Sequence, residues 1–298
     1  MAQLDQLHRF IFNQQHIRGE IVRLDESLHN VVQSYPYPTP IQQLLCEMSA
    51  ASSLLSAILK FEGEIGLQIQ GNGTLKYAVI NATHEQTYRG VARWDENITD
   101  LPHDFAELVG DAVLVLTITP VQGERYQGVV ALDKPSLAEC LEDYFTQSEQ
   151  LATKVLLQTD FTDGARPKAA GLLLQVLPQQ AETSAQHEPV ELMNLWHLAA
   201  TITAEEMFTL SIEDLLYRLY HEESVELFPA QDVRFACTCS RERSANALAS
   251  IEKQELLNII NEQGTVNMNC QYCHAEYAFD AIDIEAIHAG NGVISGTA

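Results

Sequence analysis

Four of the six cysteines lie in the last quarter of the chain as two close pairs. Cys237 and Cys239 belong to the motif CTC, and Cys270 and Cys273 belong to CQYC. A close pair places two sulfurs on one small turn, and two such turns can supply four soft ligands at the corners of a tetrahedron. Zinc fits that geometry best. The sequence therefore predicts one zinc ion bound by these four thiolates, with a CTC half that is unusual among such sites.

Charged and imidazole side chains accompany the cysteines. Arg234, Arg241 and Arg243 flank the CTC motif. Because four thiolates around a divalent cation leave a net negative charge, these cations are expected to balance it and to favour the thiolate form. His274 and His288 are alternative ligands, but four sulfurs already fill the tetrahedron. We expect His274 to occupy the turn after the last cysteine, where the backbone has a positive φ.

The residues alone leave two interpretations of this site open. In most zinc modules the metal only holds a small domain together. The CTC pair, however, could close a small, strained disulfide ring, and strained disulfides belong to the labile, regulatory class. The two remaining cysteines, Cys46 and Cys140, lie on apolar helical faces and are expected to be small core hydrophobes.

The composition excludes several classes of partner. In 298 residues there are 17 lysines and arginines against 41 aspartates and glutamates, giving a net charge of -24. Such a charge repels phosphate backbones and anionic lipid, so we expect neither nucleic-acid nor membrane binding. The first residues lack the features of a signal peptide, and no apolar run is long enough to span a bilayer. The sequence therefore predicts a cytoplasmic protein in reducing surroundings.

Motifs for catalysis are lacking in the sequence, so we expect no enzymatic activity. The GNG at positions 71–73 is too short for a phosphate-binding loop, and no nucleophile elbow occurs. His221, Glu222 and Glu223 have the residue types of an acid-base cluster. Because adjacent residues on a helix do not share a face, a solvated helix end explains them better.

The hydrophobic pattern predicts an α+β fold. Residues 39–60 have apolar side chains at helical spacing, and residues 136–151 form a second such helix capped by Ser136. Seven short β-branched or alternating runs between residues 64 and 178 are typical of strands in an extensive sheet. We therefore expect an α/β-type N-terminal domain, a helical linker and a small C-terminal zinc-binding domain.

The composition changes after Pro178. From there to Asp232 there are 11 acidic residues and a single basic one, Arg218. This segment is predicted to form two or three helices that are marginally stable unless something holds them in place. Its expected buried positions are Leu195, Trp196, Leu198, Met207, Phe208, Leu215, Leu216, Leu219 and Tyr220. In the cysteine-rich segment we expect one helix over residues 244–261, a strand before CQYC and a short final helix.

With these motifs placed, the sequence resembles the heat-shock protein 33 family, the redox-regulated holdase chaperones of bacteria. The resemblance covers nearly the whole chain and is loosest between about residues 179 and 231. His274 stands where a glycine often follows the last cysteine. The motifs that carry the resemblance are CTCSRER, CQYC, DQLHRFIF, IRGE, KFEGEIGLQIQGNG, RGVAR, TITPVQGERYQGVVAL, LAECLEDYFTQSEQL, AAGLLLQVLP and LYHEE.

The resemblance implies three parts and a redox switch. Residues 1–178 would form the client-binding and dimerisation domain, residues 179–231 the metastable linker, and residues 232–298 the zinc-binding switch domain. The reduced, zinc-bound form would be inactive. Oxidation would join Cys237 to Cys239 and Cys270 to Cys273, release zinc and unfold the linker. Oxidised homodimers would then hold unfolded or aggregation-prone client proteins without ATP and pass them to ATP-dependent foldase chaperones.

Two other classes of protein remain in comparison. One is a constitutive zinc-ribbon interaction module, whose metal site would be inert to peroxide. The other is a thiol oxidoreductase that uses CQYC. It would need one buried and one exposed cysteine that differ in how readily they form the thiolate, and it would not need the CTC motif.

Overall fold

The computed structural model describes residues 3–58, 62–164, 166–177 and 189–289. They belong to two compact units, Met1–Ala236 and Cys237–Ala298. The mixture of helices and strands confirms the predicted α+β class. Residues 189–231 belong to the first compact unit. The division of the chain into three parts at residues 178 and 231 therefore stays a prediction.

Two six-stranded sheets form the framework of the first unit. The first sheet has the order β10-β1-β2-β9-β8, and β11 also pairs with β1. The second has the order β12-β5-β4-β3-β6-β7. The strands of the first sheet are β1 (Gln6–Phe12), β2 (Ile17–Leu24), β8 (Thr153–Asp160), β9 (Lys168–Val176), β10 (Val225–Leu227) and β11 (Gln231–Asp232). Those of the second are β3 (Gly63–Gly71), β4 (Leu75–Thr83), β5 (Thr87–Trp94), β6 (Ala112–Pro120), β7 (Tyr126–Ala131) and β12 (Arg234–Phe235).

One long helix organises the core between these sheets. Helix α2 (Thr39–Ile58) contacts strands of both sheets, and its apolar side chains are buried as the periodicity predicts. The prediction that this helix extends to residue 60 lies partly outside the described residues. Shorter helices complete this core: α1 (Glu26–Val32), α3 (Phe105–Val109) and α4 (Leu137–Tyr144), the last followed by a π-helical turn, Phe145–Glu149. The Ser136 cap is confirmed, because its hydroxyl accepts a hydrogen bond from the backbone N–H of Glu139.

The seven predicted strands correspond to β3 to β9, but β1 and β2 were not predicted as strands. Strand β2 is buried along almost its whole length, on both faces of the sheet. Four charged residues on these two strands, Arg9, Arg18, Glu20 and Arg23, interrupt the apolar pattern. The alternation by which half-buried strands are recognised is therefore absent.

Three short helices cover the face of the first sheet that is turned away from α2. They are α5 (Val190–Ala199), α6 (Ala204–Thr209) and α7 (Ile212–Tyr220), which agrees with the two or three helices expected. Their apolar side chains form one core cluster with Phe10, Ile21 and other residues of β1, β2 and β9. The expected burial is confirmed for most positions, but Leu198 is 43 % exposed and Trp196 is only partly buried. We call residues 189–231 the linker.

Aromatic rings join α7 to the sheet. The ring of Tyr220 packs edge-on against Phe12 at a centroid distance of 4.9 Å, and Phe10 lies 6.4 Å away. Gly19 makes room for this cluster, because a Cβ at that position would lie 2.1 Å from the ring of Phe10. The linker is thus seated on the sheet by close packing of large side chains.

The end of the linker and the residues directly after it add strands to the two sheets. Strands β10 and β11 pair antiparallel with β1, and β12 pairs parallel with β5. The last of these backbone hydrogen bonds runs from the N–H of Ala236 to the carbonyl of Tyr88. This pairing therefore ends directly before Cys237 in the chain.

The second unit is small. Its elements are α8 (Arg241–Leu248), α9 (Lys253–Gln263), the hairpin of β13 (Val266–Asn269) and β14 (Glu276–Phe279), and α10 (Ala281–His288). The expectation of one helix over residues 244–261 was wrong, because a turn separates α8 from α9. Ser250 donates its hydroxyl to the carbonyl of Ala247 in that turn. Among its described residues, the buried apolar core is formed by Ala245, Leu248, Leu256, Val266, Phe279 and Ile284.

Among the described residues, no helix is both long and apolar enough to cross a membrane.

Candidate metal centre

The four cysteines of the two motifs meet at one place in the second unit. Their sulfur atoms all lie within 4.8 Å of one another, and all four side chains are partly buried. The Sγ atoms of Cys237 and Cys270 are 3.6 Å apart, and those of Cys239 and Cys273 are 3.3 Å apart. The cluster predicted from the sequence is therefore assembled in the fold.

Two turns position these sulfurs. The CTC turn precedes α8, whose cap Ser240 accepts a hydrogen bond from the N–H of Arg243. The CQYC turn joins β13 to β14, and the N–H of Cys270 bonds to the carbonyl of Ala275 across it. His274 has a φ of 57°, as predicted, and its N–H bonds to the carbonyl of Cys270. The hairpin and the helix cap therefore position the two members of each pair.

The donor set suits a tetrahedral metal ion. Sulfurs about 2.3 Å from a zinc ion, at the corners of a tetrahedron, lie roughly 3.8 Å from one another. The observed contacts are close to that value. Burial and the neighbouring thiols raise the pKa of Cys273 to about 12, although the N–H of Ala275 opposes the shift. Without a cation the Cys273 thiol would therefore remain protonated at neutral pH, and a divalent cation is what would make it a thiolate.

Tyr277 on β14 contacts the cluster from outside. Its hydroxyl donates a hydrogen bond to the Sγ of Cys239 at 3.2 Å. This bond raises the pKa of Tyr277 to about 12. Hydrogen bonds of this kind orient metal ligands and adjust their electron density. Sequence reasoning missed Tyr277, because its position opposite Cys239 depends on the hairpin pairing.

The arginines expected beside the CTC motif have different roles. Arg241 donates to Asp283 Oδ2 at 2.6 Å and to the carbonyl of Ala278, and its guanidinium lies 4.4 Å from the ring centre of Phe279. It therefore ties α8 to β14 and to the capping box of α10. Arg243 donates to Thr238 Oγ1 within the CTC turn itself, at 2.7 Å. Arg234 lies on β12 in the first unit.

The remaining candidate ligands lie outside the cluster. The ring nitrogens of His288 contact the carbonyl oxygens of Ile284 and Ile251. Among the described residues, the group that could hold a metal contains the four cysteines and no histidine. Cys46 and Cys140 are fully buried in the first unit, as expected, and burial raises the pKa of both thiols.

Comparison with known proteins places the chain in a family. The family model described as Hsp33 protein matches residues 5–280. This chain belongs to the Hsp33 family. The 33 kDa chaperonin of Pseudoalteromonas atlantica is 58 % identical over 286 residues, which are 96 % of each chain. The 33 kDa chaperonin of Shewanella sp. (strain MR-4) is 52 % identical over 293 residues, which are 98 % of each chain.

A solved structure agrees with the fold. The crystal structure of the 33 kDa chaperonin (heat shock protein 33 homolog) of Thermotoga maritima superposes with a TM-score of 0.80. The match covers 96 % of this chain and 98 % of that one at 22 % sequence identity. The solved structure thus confirms the fold, and the family model together with the two chaperonin relatives confirms the family resemblance stated from the sequence motifs.

Proposed function

We propose that this protein is a redox-regulated, ATP-independent holdase chaperone with one zinc ion bound by Cys237, Cys239, Cys270 and Cys273. The observation that carries the proposal is the thiol cluster, which lies in a unit with only a small core of its own. Membership of the Hsp33 family, whose relatives are named chaperonins, supports it. In this proposal the reduced, zinc-bound form is inactive.

The small core explains why the metal matters for folding. Among the described residues of the second unit, six buried apolar side chains form the core, and a core of that size contributes little stability by itself. Zinc binding to four thiolates contributes on the order of 10 kcal/mol in small modules, and that free energy is also folding free energy. Loss of the ion should therefore unfold this unit.

Oxidation provides the route by which the ion is lost. Hydrogen peroxide converts one thiol to a sulfenic acid with release of water. A second thiol then attacks the sulfenic sulfur, which forms the disulfide bond and releases a second water. Two thiols and one peroxide thus give one disulfide and two waters. We propose that the pairs are Cys237 with Cys239 and Cys270 with Cys273, because the short intervening chain favours those closures. The sulfur contacts of 3.3 and 3.6 Å each join a cysteine of the CTC turn to one of the CQYC turn. The sulfurs must therefore rearrange after the metal leaves, so that each pairs with its neighbour in the same turn.

Unfolding of the second unit reaches the linker through the chain itself. The backbone bonds of β12 end at Ala236, one residue before Cys237. The linker helices carry acidic residues in each first turn and depend on packing against the sheet. Their release would expose large apolar side chains on the linker and on the sheet, a surface suited to unfolding proteins.

The remaining expectations belong to the same proposal. Unfolded or aggregation-prone proteins are the clients, the oxidised form is a homodimer, and ATP-dependent foldase chaperones receive the clients afterwards. The protein acts in the cytoplasm, carries out no catalysis, and binds neither nucleic acid nor membrane.

The deciding experiment compares client protection by two forms of the same protein. Reduced, zinc-loaded protein and peroxide-treated protein are each mixed with a chemically unfolded client, and light scattering follows aggregation. We expect suppression only after oxidation, together with release of one zinc per chain and peptide maps showing the two neighbour disulfides. Equal behaviour of both forms would instead indicate a constitutive zinc-binding interaction module. A zinc content unchanged in the double variant Cys239→Ser, Cys270→Ser would refute the ligand assignment.

A further inference from the structure

A positive charge is buried beneath the linker. Arg23 lies on β2 and is 2 % exposed. Because every second residue of a strand lies on the same face, Arg23 shares its face with Ile17 and Ile21. Both isoleucines belong to the core cluster shared by the sheet and the linker helices. Its guanidinium therefore lies on the linker side of the sheet, within an otherwise apolar contact.

The contacts of Arg23 satisfy only part of its hydrogen-bonding capacity. Its Nη1 donates to the carbonyl of Leu210, in the turn between α6 and α7, at 2.7 Å. Among the described residues, Nε and Nη2 are buried without a hydrogen-bond partner. An arginine has N–H donors on all three nitrogens and no acceptor, so unmet donors in a dry site are a cost to the folded state.

Neighbouring charged groups offset this cost only in part. The carboxylate of Glu213, in the first turn of α7, favours the charged form of Arg23, but desolvation outweighs it and lowers the pKa of Arg23 to about 10. His8 is also buried, and burial together with Arg23 lowers its pKa. The imidazole is therefore uncharged at neutral pH and adds no second positive charge beside the guanidinium.

The cost of burying Arg23 exists only while the linker is docked. Leu210 and Glu213 belong to the linker, and their departure returns the guanidinium to water, where every N–H finds a partner. We propose that Arg23 sets the opening equilibrium of the linker, since its burial favours release from a sheet face that otherwise holds the linker by apolar packing. The inference rests on the proposed function for its biological meaning, but not for its physical test.

The physical test is amide hydrogen exchange of residues 190–220 in the reduced, zinc-loaded full chain. Arg23→Met replaces the buried charge with an apolar side chain of similar length, a change that is often stabilising at buried ionic sites. We expect the linker amides to exchange about tenfold more slowly than in the unsubstituted protein, while amides of α2 stay unchanged. Arg125→Met removes the same charge from an exposed loop residue, and it should leave linker exchange unaltered.

A second variant separates burial of charge from anchoring of the turn. Arg23→Lys keeps the charge but loses the forked geometry that reaches Leu210. If buried charge drives opening, the Met variant slows exchange and the Lys variant does not. If Arg23 chiefly anchors the turn, both variants speed exchange, and the inference is overturned. Unchanged exchange in the Met variant overturns it as well.

The aggregation assay keeps this inference distinct from the proposed function. Slower linker exchange in Arg23→Met, with client protection delayed to higher peroxide doses, supports both. Slower exchange with no client protection by any oxidised form supports the role of Arg23 and rejects the holdase.

Discussion

The two faces of the first sheet are covered in different ways. On one face lies α2, a single helix of 20 residues whose buried side chains reach both sheets of the first unit. On the other lie the three linker helices, of 10, 6 and 9 residues. Isolated helices of these lengths are marginal in water. The same strands are therefore covered on one face by a single long helix and on the other by three short ones, and we expect only the short helices to leave the sheet.

The linker helices are well formed locally, although their attachment depends on packing. Thr203 closes a capping box with Glu206, and Ser211 caps α7 through the N–H of Asp214. Acidic side chains in the first turn of each helix interact favourably with the helix dipole and stabilise the helix. We therefore expect these helices to re-form readily once contact with the sheet is restored.

The largest expected effect comes from matched leucines on the two faces. Leu54 on α2 and Leu215 on α7 are both fully buried, and truncation to alanine costs about 2–5 kcal/mol in such sites. Leu54→Ala should lower the free energy of global unfolding by that amount, measured by denaturant titration. Leu215→Ala should chiefly accelerate amide exchange in the linker.

The comparison between the faces fails if these two variants behave alike. Equal loss of global stability, with no selective exchange of residues 190–220 in Leu215→Ala, would mean that the linker and α2 unfold as one cooperative unit.

A buried carboxylate on the α2 side gives a pH-dependent effect of intermediate size. Glu20 is 2 % exposed, and desolvation raises its pKa to about 8. Because the folded-state value lies above the ordinary one, this group favours the folded state at low pH, and that contribution disappears as pH rises from 4.5 to about 8. Glu20→Gln should therefore stabilise the folded state against global unfolding, and increasingly so as the pH rises over that range.

Thermal unfolding at several pH values measures the difference in stability between Glu20→Gln and the unsubstituted protein. Glu124→Gln, a substitution at an exposed loop position, serves as the control and should show no such trend. A stability difference for Glu20→Gln that shrinks with rising pH would show that the sign is wrong.

The smallest expected effect concerns the single basic residue of the linker. Arg218 pairs with Glu206 at 2.7 Å and donates to Thr201 Oγ1 at 2.8 Å, so it joins α7 to α6 and to the turn after α5. Because the pair is partly exposed, Arg218→Met should cost only about 1 kcal/mol. Linker amides should then exchange roughly fivefold faster, with global stability unchanged. An equal change in α2 amides would place Arg218 in the global core instead.

Much of this architecture was predictable from local pattern. The spacing of the four cysteines predicts the metal centre because two tight turns suffice to present four sulfurs. The apolar period of residues 39–58 predicts α2, and turn residues delimit β3 to β9. In each case the signal lies within one short stretch of sequence.

What could not be predicted depends on pairing between distant segments. Strands β1 and β2 are hidden by charges whose burial only the tertiary structure reveals, such as Glu20 and Arg23. The contact between Tyr277 and Cys239 follows from the register of the β13–β14 hairpin. The break between α8 and α9 depends on a local hydrogen bond of Ser250 that competes with the helix.

We propose that exposure of the linker, rather than oxidation itself, activates the protein. Leu216→Ala removes a side chain that is 6 % exposed without altering any cysteine. Hydrogen exchange of residues 190–220 and suppression of client aggregation are measured together on this variant, reduced and zinc-loaded. We predict faster linker exchange and partial client protection without oxidant. Faster exchange with no client protection would contradict the account.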